Sequence, residues 1–89
     1  MTLPFELSDQ LKETLAKLAK KDRPLALALR KKIAQIVNLS PAEIEHFKNL
    51  KGTDRMKRVH IGAFVLTFRL VGETLWFEDF DHHDNIYKK

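Results

Sequence analysis

Arg58 and His60 stand two positions apart in the run Lys57-Arg58-Val59-His60-Ile61. On an extended strand that spacing puts both side chains on one face, with Val59 and Ile61 on the other. A guanidinium can grip phosphate through two parallel hydrogen bonds, and histidine is the side-chain type suited to moving a proton near neutral pH. His82 and His83 form a second imidazole pair, and Tyr87 follows them near the C-terminal end. Together these types suit metal-free cleavage of an RNA phosphodiester. That reaction needs a base for the ribose 2′-hydroxyl and an acid for the leaving 5′-oxygen. It also needs cations for the charge that builds around phosphorus, and it ends in a 2′,3′-cyclic phosphate. His60 is a candidate for either proton transfer. Tyr87 could stack on an unpaired base, orient the acid, or simply pack its ring on a sheet.

Charge is distributed as a binding site would require. The 89 residues carry a net charge of +4. Between Phe47 and Arg69 the cations Lys48, Lys51, Arg55, Lys57, Arg58 and Arg69 meet one acid, Asp54, whereas Glu73, Glu78, Asp79, Asp81 and Asp84 crowd the stretch that follows. Lys48, Lys51, Arg55 and Lys57 are therefore candidates for contact with a phosphate backbone; surface solubility is the alternative role for such lysines. Asp81-His82-His83-Asp84 resembles a metal tetrad in composition only, because adjacent residues on an extended chain point to opposite sides. There is no cysteine, which excludes disulfides, thiolate catalysis and cysteine-ligated zinc. The expectation is a protein without metal or cofactor.

The elements that must carry these residues can be read from the apolar spacing. Thr2 to Leu7 suits a short strand that Pro4 confines to a sheet edge. Ser8 can cap a helix over 8–20, in which Leu11, Leu15 and Leu18 share one face. Asp22 can cap a second helix, over 22–38, with Pro24 in its first turn and Leu25, Leu29, Ile33 and Ile36 (or Val37) as its stripe. The short link between the two predicts a helical hairpin. Ser40-Pro41-Ala42-Glu43 matches a capping box with proline at the first helical position, which predicts a short third helix from Ser40 to Phe47. From Arg55 the period becomes two. Val59 and Ile61, then Phe64, Leu66 and Phe68, then Leu75 and Phe77 mark three strands, with turns at Gly62 and at Gly72-Glu73. The expected fold class is α+β: one domain over 1–89, a helical hairpin packed on a small antiparallel β-sheet. No apolar run approaches the ~20 residues of a membrane span, and the N-terminus has no signal-peptide pattern. The simplest expectation is a cytoplasmic protein that makes no membrane contact.

That order of elements in a short basic chain resembles the RelE/ParE toxin superfamily. "HFKNLKG" resembles the family's leucine-basic-glycine segment. "KRVHIGAFVLTFRL" resembles its basic-x-basic-x-glycine strand pair, and "FEDFDHHDNIYK" its final strand, histidine or arginine cluster and late tyrosine. The resemblance spans nearly the whole chain and is most specific over 46–88. It implies an antitoxin wrapped around the toxin. It also implies, in the RelE branch, ribosome-dependent mRNA cleavage with ribosomal RNA contacts, and in the ParE branch inhibition of DNA gyrase. Carried over residue by residue, it points to Arg58, His60, His83 and Tyr87 as the catalytic set. A one-residue slip would exchange His83 for His82, which otherwise joins the RNA contacts. Two positions depart from the pattern: His60 fills the second basic slot, and Val65 stands where the family often has an arginine that grips phosphate. A toxin acting on gyrase without chemistry of its own, and a non-catalytic RNA- or ribosome-binding module, are the alternatives.

Overall fold

The computed structural model describes residues 2–49 and 56–87. Ser8 starts the first helix, α1 (Asp9–Lys21), its hydroxyl accepting the Leu11 N–H at 3.0 Å. Asp22 ends α1 and caps α2 (Arg23–Val37) by accepting the Leu25 N–H at 3.2 Å. With one residue between them, the two helices pack against each other as the expected hairpin. Ser40 and Glu43 complete the predicted capping box of α3 (Pro41–Glu45), whose Ile44 is fully buried.

Three strands follow as a meander: β2 (Lys57–Ile61), β3 (Phe64–Val71) and β4 (Thr74–His82). Each two-residue turn opens with a glycine at φ +61°, Gly62 and Gly72, followed by a residue without positive φ. That is the pattern of a type II′ turn, which matches the twist of paired strands. A short N-terminal strand, β1 (Phe5–Leu7), completes a four-stranded sheet in the order β1-β4-β3-β2. β1 runs parallel to β4, pairing Phe5 with Leu75 and Leu7 with Phe77. The sheet is thus mixed rather than wholly antiparallel. Parallel neighbours need a long crossover, and the helices between β1 and the meander supply it.

One sheet face meets the helices. Leu11, Leu29, Ile33 and Ile36 pack with Leu66, Phe68, Leu75, Phe77 and Phe80, while Leu15, Leu18, Val59, Ile61 and Phe64 are partly buried against them. Phe68 lies edge-on to Phe47 at 5.3 Å and tilted against Phe77 at 5.7 Å. After β4 the chain forms a one-turn helix, α4 (His83–Tyr87), which packs back on β3 and β4. No helix among the described residues is long and apolar enough to cross a membrane.

Candidate functional site

The opposite, outer face of the sheet carries the candidate chemistry. Arg58 pairs with Thr67 and His60 with Val65 across β2 and β3, so these four share that face. Arg58 Nη1 lies 3.0 Å from His60 Nε2. The backbone of Lys48 and Asn49 runs beside β2 and fixes Arg58 from its other side: Arg58 N–H donates to the Lys48 carbonyl at 2.9 Å, and Arg58 Nε to the Asn49 carbonyl at 3.1 Å. Asn49 is a partner the sequence pattern did not reveal.

His83 reaches the same place from the far side of the sheet through a β-bulge. Leu75 and Phe77 point into the core, and strict alternation would send Asp79, Asp81 and His83 inward after them. The register instead slips opposite Thr67 and Phe68, and the extra residue reverses the parity beyond it. Phe80 then enters the core and stacks on Phe64 at 5.3 Å, while His83 comes to the outer face with its ring 6.0 Å from that of His60. The bulge is held in place by hydrogen bonds. Ser8 N–H donates to the Phe77 carbonyl at 2.9 Å, Ser8 Oγ donates to the Glu78 carbonyl, and Thr67 Oγ1 donates to the Asp79 carbonyl at 3.4 Å. His83 N–H also donates to the Ala63 carbonyl at 2.9 Å, which ties the start of α4 to the β2–β3 turn.

His82 faces the other way. Its ring meets Phe64 edge-on at 5.6 Å, and its Nδ1 accepts the Asp84 N–H at 3.2 Å, capping α4. Of the two neighbouring imidazoles, His83 is therefore the one beside Arg58 and His60. Lys57 also departs from the expected grouping. It shares the parity of Val59 and Ile61, is 8% exposed, and donates from Nζ to the Glu45 carbonyl at 3.3 Å while pairing with the Glu45 carboxylate at 3.5 Å. A cation turned inward to a helix end is not available to phosphate on the outer face. Lys48 is exposed beside the cluster. Lys51 and Arg55 lie outside the described residues, as does the side chain of Tyr87, whose backbone ends α4.

Val65 explains its own departure from the family pattern. It lies on the outer face yet is fully buried, and Ile86 of α4 is also buried, while neither belongs to the main core. α4 begins on that face, with His83 beside His60, and contacts β3. Val65 thus occupies a small second apolar layer that seats α4, and a solvated arginine would not fit beneath it.

Electrostatically the outer face is divided. Arg58 and the imidazoles occupy the β2 side, whereas Arg69 is matched by Glu78 at 3.0 Å and Asp81 accepts the Asn85 side-chain amide at 3.1 Å. Among the described residues, the β2 side is the one that favours a phosphate. Among the described residues no three His, Asp or Glu side chains gather closely enough to hold a metal. The arrangement offers a fixed guanidinium and two imidazoles within the span of one phosphodiester.

No protein-family model matches the chain. Solved structures do. The free state of an arginine-to-alanine double mutant of the E. coli toxin RelE superposes with a TM-score of 0.71 over 99% of this chain and 93% of that one, at 13% identity. The E. coli DinJ–YafQ toxin–antitoxin complex matches with a TM-score of 0.72 over 98% of this chain and 99% of that one, at 22% identity. The fold is therefore the α+β fold of RelE-like toxins. A curated relative from Methanocaldococcus jannaschii, named "Putative toxin RelE4", is 43% identical over 89 residues, covering 96% of this chain and 90% of its own. The chain belongs to the RelE family of toxins, within the superfamily its sequence resembles.

Proposed function

We propose that the chain is the toxin half of a toxin–antitoxin pair and that it cleaves mRNA on the ribosome, in the cytoplasm, without a metal. The observation that carries this reading is the convergence of Arg58, His60 and His83 on one sheet face, with Arg58 hydrogen-bonded to His60 at 3.0 Å and the imidazoles 6.0 Å apart. A binder that only obstructs its target has no need of two titratable rings flanking a guanidinium.

In the reaction, the ribose 2′-oxygen attacks the adjacent phosphorus as its proton passes to one imidazole. The bond to the 5′-oxygen breaks, and that oxygen takes a proton from the other imidazole. Arg58 binds the phosphate and offsets the charge that grows on its oxygens. The products are a 2′,3′-cyclic phosphate and a 5′-hydroxyl. Tyr87, whose backbone ends α4, is the candidate to stack on a neighbouring base or to orient the acid. Lys48, exposed beside the cluster, contacts the RNA backbone or ribosomal RNA, the role the sequence also suggests for Lys51 and Arg55, and a cognate antitoxin is the protein partner. Primer extension on one mRNA, with and without translating ribosomes, tests the reading. Cleavage within the translated region that needs ribosomes and survives chelation of divalent ions, once ribosome integrity is controlled, supports it. Absence of cleavage together with arrest of gyrase supercoiling overturns it in favour of a ParE-like action.

A further inference from the structure

The nuclease reading leaves open which imidazole takes the proton and which gives it. Their neighbours differ in a way that sorts them. A guanidinium has only donors, so the 3.0 Å contact between Arg58 Nη1 and His60 Nε2 exists only with His60 Nε2 as acceptor. A protonated His60 would set two cations within hydrogen-bond distance of each other. His83 faces the reverse situation: its Nδ1 lies 3.4 Å from the Asp84 carboxylate, which can only accept. A protonated His83 therefore forms an ion pair with Asp84. Among the described residues, the charged and titratable groups around His83 are His60 on β2 with Arg58 behind it, and Asp81, His82 and Asp84 where β4 passes into α4; the Asp84 carboxylate also lies 3.8 Å from His82 Nδ1.

We propose that Asp84 is a positioning residue that makes His83 the proton donor of the reaction, leaving His60 as the proton acceptor. The proposal rests on the nuclease reading. The incoming phosphate takes over the Arg58 donor that His60 holds in the unliganded protein, which frees the Nε2 lone pair of His60 as the substrate arrives. His60 Nε2 accepts the 2′-hydroxyl proton while the 2′-oxygen bonds to phosphorus. The electron pair of the breaking bond moves to the 5′-oxygen, which receives the proton carried by His83. Each turnover leaves His60 protonated and His83 neutral, and exchange with water restores both. Asp84 orients the His83 ring and holds its Nδ1 proton, as a carboxylate does behind the imidazole of hydrolytic triads.

The test measures kcat and KM for cleavage of ribosome-bound mRNA by the wild type, Asp84→Asn, Asp84→Glu and His83→Ala, with each Asp84 variant checked for folding by circular dichroism. Asp84→Asn lowers kcat about 10–100-fold, the size of effect that loss of an orienting carboxylate has behind metal-binding histidines. It leaves KM for the programmed ribosome unchanged. Asp84→Glu recovers most of the rate, and Asp84→Asn adds nothing on a His83→Ala background. A wild-type rate in Asp84→Asn, a change confined to KM, or full additivity with His83→Ala overturns the proposal. Imidazole ¹⁵N NMR of the free toxin separates this failure from that of the nuclease reading. The His83 Nδ1 proton should be observable in the wild type and lost in Asp84→Asn while the His60 signals hold. If the toxin cuts nothing, that spectrum still decides whether Asp84 governs His83, and an unchanged His83 signal overturns the proposal.

Discussion

Lys57 separates what charge alone suggests from what the fold dictates. Counted with its neighbours it looks like a phosphate contact; in the structure its side chain is 10% exposed and ends at α3. Replacing it with alanine removes three methylenes and an ammonium from that inner position. At about 0.8 kcal/mol per buried methylene the stem accounts for roughly 2 kcal/mol. The pair with Glu45 adds little, about 0–1 kcal/mol, because that carboxylate is 68% exposed and screened by water. The expected loss is about 2–3 kcal/mol, which in a domain this small lowers Tm by about 10–20 °C. Lys57→Met keeps the stem and stays within about 1 kcal/mol of the wild type, since an apolar replacement of a buried ion is often near neutral. Thermal unfolding reads both variants. The salt dependence of binding to an RNA oligonucleotide reads the competing role: Lys57→Ala leaves its slope unchanged, whereas Lys48→Ala lowers it by about 1. An unchanged Tm in Lys57→Ala together with a shallower slope would refute the reasoning.

Val65→Arg restores the residue type the family often carries, and here it is expected to fail. An arginine beneath α4 forces an uncompensated charge into an apolar layer or expels the helix, so Tm and cleavage should both fall; a stable variant that cuts faster contradicts the placement of α4. Phe68→Ala empties the centre of the core between Phe47 and Phe77 and should cost about 3–5 kcal/mol; a urea midpoint close to the wild type would show that the core is not where we place it.

Much of this fold is legible in the sequence because its signals are local. Ser8, Asp22 and the Ser40/Glu43 box cap the helices they appear to cap, and Gly62 and Gly72 sit at the turns where φ must be positive. The parity of Lys57 with Val59 and Ile61 was also present in the sequence, but a count of positive charge hides it. Other features depend on contacts remote in the chain. β1 pairs in parallel with β4 some seventy positions away, and no local pattern encodes that direction. The bulge near Glu78 reverses the alternation of β4, and its only trace is that Phe77 and Phe80 stand three apart rather than two. Without the bulge His82, not His83, would share the face of His60. Val65 reads as a missing arginine until α4 is seen to cover it. A five-residue helix capped by His82 and tied by Asp81 to Asn85 has too few residues to announce itself by periodicity.

The central claim is that His60 and His83 work together on one phosphodiester, and the rate of ribosome-dependent mRNA cleavage by the double variant His60→Ala/His83→Ala tests it most directly. Single loss of either ring should slow cleavage about 10²–10⁴-fold, and the double variant should leave no cut above the background of ribosomes alone, with ribosome binding retained through Arg58 and the exposed lysines. A double variant that cuts the same mRNA at the wild-type rate contradicts the account.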